Sequence, residues 1–205
     1  MTDELKSILE RVRALYMKYG IKSITMDDVA RELSISKKTL YQYVCDKNEL
    51  VAKVFEMETD IKECTIKTLE SGGANAIEEM IMVNKHVNKM LKEHNPSTEY
   101  DLKKYYPELY RKFYETRRGK IFEWIKSNIK RGKTEGLYRD DVNEELIAKL
   151  VVIQNEGIVD TELFNITEYT SQKSFVEILV YHIRGIANEK GIKILNHVIE
   201  SMKEL

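Results

Sequence analysis

Lys37, Lys38, Thr39, Gln42 and Tyr43 stand within one short stretch, and no carboxylate occurs between Ser34 and Cys45. Ammonium groups seek phosphate oxygens, while hydroxyls and a carboxamide can also pair with base edges, so this set is suited to the major groove of a duplex. Tyr41 offers a further phenol. Lys47 follows at the start of another helix, where its ammonium and the first free backbone amides could receive a phosphate. Thr25 and Ser36 are the hydroxyl residues placed to begin the two helices that carry the set.

Those helices are legible from caps and spacing. Thr25 can cap a helix, Asp28 stands near its positive end, and Val29, Ala30 and Leu33 recur at helical intervals. Ser34-Ile35-Ser36 interrupts it, and Ser36 can cap a second helix through Lys37 to Tyr43. Val29, Leu33, Ile35, Leu40 and Val44 then face inward, and Ala30 is small where the pair must touch. Asp46-Lys47-Asn48-Glu49 reads as a capping box opening a third, longer helix. Before the pair, Leu5, Ile8, Leu9, Val12, Leu15 and Tyr16 form a support helix that Gly20 stops.

This segment resembles the N-terminal domain of the TetR/AcrR family of transcriptional regulators, whose pattern is roughly T-x-x-x-I-A-x-x-x-G-V-S-x-G-T-L-Y-x-H-F-x-x-K-x-x-L. Thr25, Ala30, Ser36, Thr39, Leu40, Tyr41, Lys47 and Leu50 fall on its positions without gaps. Three departures from it matter: Ser34 replaces the turn glycine, Tyr43 a histidine and Val44 a phenylalanine. A residue other than glycine in a left-handed turn costs on the order of 1 kcal/mol. A weaker match lies at Ile129 to Asp141, against I-x-x-G-x-x-x-G-x-[FY]-R-x-D. The resemblance implies an all-α protein: a three-helix helix-turn-helix head over residues 1–48 and a larger helical ligand-binding and dimerisation domain over residues 49–205. It implies a dimeric repressor released from a pseudo-palindromic double-stranded operator by a small-molecule effector.

Composition sets limits on this reading. The chain has 205 residues, and its 42% hydrophobic content suffices for a real core. The formal net charge is −1, and residues 1–50 hold nine cations against eight anions, so any DNA-binding face must be local and the salt dependence modest. No apolar run reaches the roughly 18 residues of a membrane span, and Met1 to Glu10 lacks a leader pattern, which together predict a cytoplasmic protein without a membrane partner. Cys45 and Cys64 are too few and too distant for a metal site or a disulfide framework.

The remainder reads as helices. Asn75 with Glu78 caps one; another lies around Tyr100 to Tyr105, Pro107 begins a long one that Gly132 to Gly136 end, Asn143 begins one running to Phe164, and Ser171 begins one running to Gly191. Two apolar helices near the C-terminus could build a two-fold four-helix interface, with Ile158, Leu163, Phe175, Leu179, Ile183 and Ile186 as its candidates. Two-fold symmetry would set the heads about one helical turn, roughly 34–36 Å, or a multiple apart.

Tyr105, Tyr106, Tyr110 and Phe113, with Trp124 further on, are candidates for a ligand-chamber wall. Met57, Met82, His86, Met90 and Gln154 would complete it, because methionine adapts to varied shapes and a few polar groups fix orientation. No glycine-rich phosphate loop, histidine-glutamate zinc spacing or nucleophile elbow occurs, so no enzyme, cofactor or metal is expected. Glu78-Glu79 and Asp140-Asp141 read as helix starts and solvated faces. A helical protein-interaction adaptor with a head that does not bind DNA is the alternative.

Overall fold

In a computed structural model of the chain, residues 2–70, 72–92, 95–157 and 166–203 are described. They form eleven helices: α1 (Asp3–Tyr19), α2 (Met26–Leu33), α3 (Lys37–Leu40), α4 (Lys47–Glu70), α5 (Ala76–Lys92), α6 (Pro96–Tyr105), α7 (Pro107–Thr134), α8 (Glu144–Gly157), α9 (Ile166–Tyr169), α10 (Gln172–Ile186) and α11 (Glu189–Lys203). Among the described residues the one extended pairing is an isolated bridge between Tyr138 and Ala187. The fold is all-α, with the expected N-terminal helix-turn-helix and a larger helical C-terminal part.

By packing, the chain divides into two compact units, residues 1–65 with 94–115 and residues 66–93 with 116–205. In the first, Leu9, Val12, Tyr16, Ile21, Leu40, Leu50 and Val51 are buried around α1 to α4, and Leu102 of α6 joins them. Gly20, at φ 79°, ends α1 through its amide to Tyr16 O. Polar contacts fasten α6 to the end of α1: Thr98 Oγ1 donates to Tyr16 O at 3.1 Å, Asn95 Nδ2 to Met17 O at 2.6 Å, and Asp101 Oδ2 accepts from Lys22 N at 2.7 Å.

The second unit is centred on α5, α7, α10 and α11, where Ile77, Met80, Ile129, Tyr138, Ile183 and Leu195 are buried. Glu79, expected on a solvated face, is instead buried in this core. Its carboxylate meets Arg131 Nη1 at 2.6 Å and accepts from Asn128 Nδ2 at 2.9 Å. Asn128 Oδ1 in turn accepts from the Tyr138 hydroxyl at 3.1 Å, so the four side chains are linked in one run of polar contacts that leads from Arg131 at the edge of the core into it.

Two boundaries differ from expectation. The short helix expected around Tyr100 to Tyr105 starts earlier, at Pro96, where Asn95 caps it and proline fits the first turn. The helix expected to continue to Gly191 breaks at Ala187, which is extended at φ −76° and ψ 150°; Asn188 then starts α11 by accepting from Gly191 N at 3.0 Å. Asn188 Nδ2 also donates to Gly136 O at 3.0 Å, so the break is where the chain ties to the loop after α7. The expected extension of α8 to Phe164 lies outside the described residues.

Gly132 and Gly191 are fixed by close approach. A Cβ on Gly132 would sit 2.2 Å from the Tyr138 ring, and one on Gly191 would sit 2.2 Å from Leu137 O. The second obstacle is backbone, which cannot rotate away. Gly191→Ala is therefore expected to destabilise the C-terminal unit by about 1–3 kcal/mol, the usual cost of overpacking, and to lower the urea midpoint accordingly. An unchanged midpoint would show that α11 can shift freely at this contact.

Candidate functional site

The reading surface begins with two caps. Thr25 Oγ1 accepts from Asp28 N at 3.2 Å while Asp28 Oδ2 accepts from Thr25 N at 2.9 Å, a closed capping box at the start of α2. Ser36 Oγ accepts from Thr39 N at 3.0 Å and starts α3 in the same way. Between them Ser34 adopts the left-handed conformation, φ 59° and ψ 36°, with its amide directed to Ala30 O and Arg31 O. The turn thus keeps the geometry that glycine favours, with serine in its place.

α3 is shorter than the spacing suggests. Its helical bonds end at Leu40, and Gln42 N to Thr39 O and Tyr43 N to Leu40 O close tighter three-residue turns. Leu40 and Val44 point into the core, while Lys37, Lys38, Tyr41 and Gln42 are exposed and Thr39 is half-buried. The structure therefore presents most of the predicted set on α3 and the turn that follows.

The individual groups are not equally available. Lys37 Nζ lies 2.6 Å from Asp27 Oδ1, and this hydrogen bond raises the lysine's pKa. Lys38 has no ion-pair partner among the described residues. The Tyr43 phenol, expected to face a phosphate, is hydrogen-bonded to Glu4, and that bond raises its pKa. Lys47 Nζ donates to Ile21 O at 2.7 Å, and partial burial lowers its pKa. Its role in the free chain is to hold the loop before α2. The box at its helix start is offset by one residue from the expected form: Asp46 Oδ1 accepts from Glu49 N at 2.8 Å, and Glu49 Oε2 accepts from Cys45 N at 2.6 Å.

Sequence reasoning missed Arg11, whose guanidinium on α1 donates to the carbonyls of Glu32 and Leu33 at the end of α2. It also missed the Asp27 clamp on Lys37. Both join residues of different helices, and no local spacing announces them.

The candidate ligand-wall residues divide between the two compact units. Met57 is buried in the N-terminal core, and Tyr106, Tyr110 and Phe113 pack against that core, Phe113 edge-on to Phe55 at 5.6 Å. Tyr105 is exposed beneath the Lys22 ammonium, 4.5 Å from the ring centroid. Met82, His86, Met90, Trp124 and Gln154 belong to the C-terminal unit. Of the ten, Gln154 lines an open cleft of about 940 Å³ between α8, α10 and α11.

The interface candidates also divide. Ile158 and Leu163 lie outside the described residues. Leu179, Ile183 and Ile186 are corrected by burial: they are at most 4% exposed and fill the core of their own chain, so they have no face left for a partner. Phe175 packs half-buried against the same core. The apolar surface these helices do expose is Leu146, Leu150 and Ile153 on α8 and Tyr181 on α10.

Residues 8–54 match the family model described as bacterial regulatory proteins, tetR family. No curated protein matches the chain. Its fold is similar to that of a transcriptional regulator from Cytophaga hutchinsonii, with TM-score 0.75, 18% identity, and 91% of this chain and 100% of that one covered. It is similar as well to the ketosteroid transcriptional regulator KstR2 of Mycobacterium tuberculosis, with TM-score 0.59, 18% identity and coverages of 92% and 97%. A gamma-butyrolactone receptor shows TM-score 0.62, 14% identity and coverages of 98% and 96%.

The Thr25–Asp28 box carries a pH signature. Hydrogen bonds from the Thr25 hydroxyl and then its amide hold the Asp28 carboxyl below its ordinary value. The box is thus fully formed above the unfolded carboxyl value of about 3.9 and is lost as pH falls through the lower folded value. The Thr25 amide proton resonance should move upfield on acidification with a midpoint below about 3.9, and should lose that titration in Asp28→Asn. A midpoint above that value would contradict the geometry.

Proposed function

We propose that this chain, whose residues 8–54 match the tetR family model of bacterial regulatory proteins, is a homodimeric repressor that leaves a pseudo-palindromic operator when a small-molecule effector binds. The observation that carries this reading is the exposed surface of α3 and its turn: two lysines, a carboxamide and a phenol on a segment without carboxylates. In it, residues 1–48 form the DNA-binding domain and residues 49–205 the ligand-binding and dimerisation domain, working in the cytoplasm where the operator lies.

Lys38 and Tyr41 meet phosphates, Thr39 and Gln42 reach base edges, and Lys37 joins once it exchanges Asp27 for a phosphate. Thr25 and Ser36 hold the two helices, so their contribution to DNA binding is positional. The dimer uses the exposed apolar residues of α8 and α10. Effector binding favours a head separation that no longer fits the operator, with a coupling of about 1–3 kcal/mol, or roughly 5- to 150-fold in affinity. The similar folds include a ketosteroid regulator and a gamma-butyrolactone receptor, in keeping with an effector-responsive C-terminal domain.

Pull-down of fragmented genomic DNA followed by sequencing is expected to return a small set of fragments sharing an inverted repeat. Recovery of no preferred fragment would overturn the repressor and favour the adaptor. On the recovered operator, Lys38→Ala should reduce the log–log salt slope by roughly 0.9 per subunit, the value of one phosphate contact. Its melting temperature should be unchanged, since the residue is exposed. Ile153→Asp places a charge on a side chain 63% exposed, so folding should survive while sedimentation at micromolar concentration shifts from dimer to monomer. A dimer that persists would move the interface elsewhere.

A further inference from the structure

The C-terminal unit holds a small chamber of about 60 Å³ between α5, α7, α8, α9 and α10. Val151, Gln154 and His182 border both this chamber and the open cleft, so these three side chains form the partition between them. Among the described residues its polar lining is Asn84, Gln154, Asn155, Tyr169 and His182, with no lysine, arginine, aspartate or glutamate; the other described walls are aliphatic, methionine and phenylalanine side chains.

The polar groups are arranged asymmetrically. Asn84 Nδ2 donates to Met80 O at 2.8 Å and Asn155 Nδ2 donates to Val151 O at 2.9 Å, so one N–H of each carboxamide is engaged by its own helix. The two side-chain carbonyl oxygens are left as acceptors. His182 Nε2 is buried without a hydrogen-bond partner, and burial lowers the pKa of the ring, which keeps it neutral at neutral pH.

These features select a chemistry. Among the described lining residues, an anion entering the chamber would lose its hydration and meet carbonyl oxygens with no cation beside them, and a cation would find no carboxylate. A purely apolar molecule would leave the carbonyls and His182 Nε2 dry and unpaired, at a cost of about 1–3 kcal/mol per group. At 10–15 Å³ per water-sized group, the chamber has room for roughly four to six such groups.

We propose that this chamber binds an uncharged small molecule that donates hydrogen bonds to Asn84 and Asn155, pairs with His182, and carries a short aliphatic body. The inference rests on the reading of the C-terminal domain as the effector domain and adds the chemistry of the effector.

The test uses the full chain and three probes with equal numbers of heavy atoms: butyramide, neutral with N–H donors; 2-pentanone, neutral without them; and butyrate, an anion. Each is titrated while the His182 ring resonances are followed by heteronuclear NMR. Butyramide is expected to shift them saturably and to bind at least about tenfold more tightly than either other probe, the size of one unsatisfied buried group. In Asn84→Leu, which keeps the volume and removes one of the two carbonyl acceptors, the butyramide preference over 2-pentanone should fall. Butyrate binding as tightly as butyramide, or butyramide causing no saturable shift, overturns the proposal, and this comparison on the unmodified chain stands even if the variant fails to fold. Because no DNA enters the experiment, its failure is separable from that of the regulator reading: absent butyramide binding with intact operator selection removes the chamber alone.

Discussion

A single helical turn cannot hold itself together in water, because nucleation orders several residues in return for one hydrogen bond. α3 has four residues, so the surface that would read DNA exists only because other parts of the chain impose it. Ser36 supplies the cap, Leu40 and Val44 supply burial, and the left-handed Ser34 sets the direction in which α3 leaves α2. Arg11 covers the last carbonyls of α2, and Asp27 holds the first residue of α3 from outside. The dependence runs further along the chain. Leu102 completes the core, and Thr98, Asn95 and Asp101 take up polar groups at the end of α1 and in the loop before α2. The compact unit that supports α3 is therefore larger than the segment that carries the family pattern.

The C-terminal unit solves a different problem, that of burying polar groups within helix packing. Glu79 sits in the first turn of α5, where a carboxylate is favoured by the free amides, and it also lies inside the core. Arg131 and Asn128 from α7 meet it, and Tyr138 from the loop after α7 closes the set through Asn128 and Ala76 O. Burial raises the Tyr138 phenol's pKa, so it remains a donor at all ordinary pH. The same tyrosine ring occupies the space a side chain at Gly132 would need. The two glycine approaches and the polar set together lock the α7 end, the Tyr138–Ala187 bridge and the start of α11 into one arrangement.

Local signals were the ones legible in the sequence. Thr25, Ser36, Asn75, Asn143 and Ser171 mark helix starts because a cap acts within three residues, and Gly20 and Pro107 mark ends and starts because their backbone preferences are intrinsic. Long-range pairings left no such trace. Glu79 looks like any acid in a first turn, and nothing within α5 announces Arg131. Ala187 and Asn188 interrupt an otherwise apolar helical pattern, and only the pairing with the loop after α7 explains why the chain stops there. The tyrosine-rich stretch shows the same limit of local signals: its composition suits a ligand wall, and nothing in its spacing announces that Tyr106, Tyr110 and Phe113 pack on the N-terminal core. At the C-terminus, periodicity identified which residues of α10 are apolar but could not tell a face turned to its own core from one left for a partner.

Charge shows how such a head could discriminate without clinging to DNA at large. Its lysines are not free point charges: Lys37 is clamped by Asp27 and Lys47 is tied to a backbone carbonyl, leaving Lys38 as the α3 cation without an ion-pair partner among the described residues. In the proposed complex Lys37 would exchange Asp27 for a phosphate; both members of that pair are exposed, so the pair is weak and its opening subtracts only a little from binding. A random duplex that offers phosphates but no matching base edges would be held by phosphate contacts alone. A duplex that also engages Thr39 and Gln42 holds α3 in the groove long enough for the exchange to be favourable. With a net charge of −1 over the chain, background attraction adds little, and discrimination falls on geometry at α3.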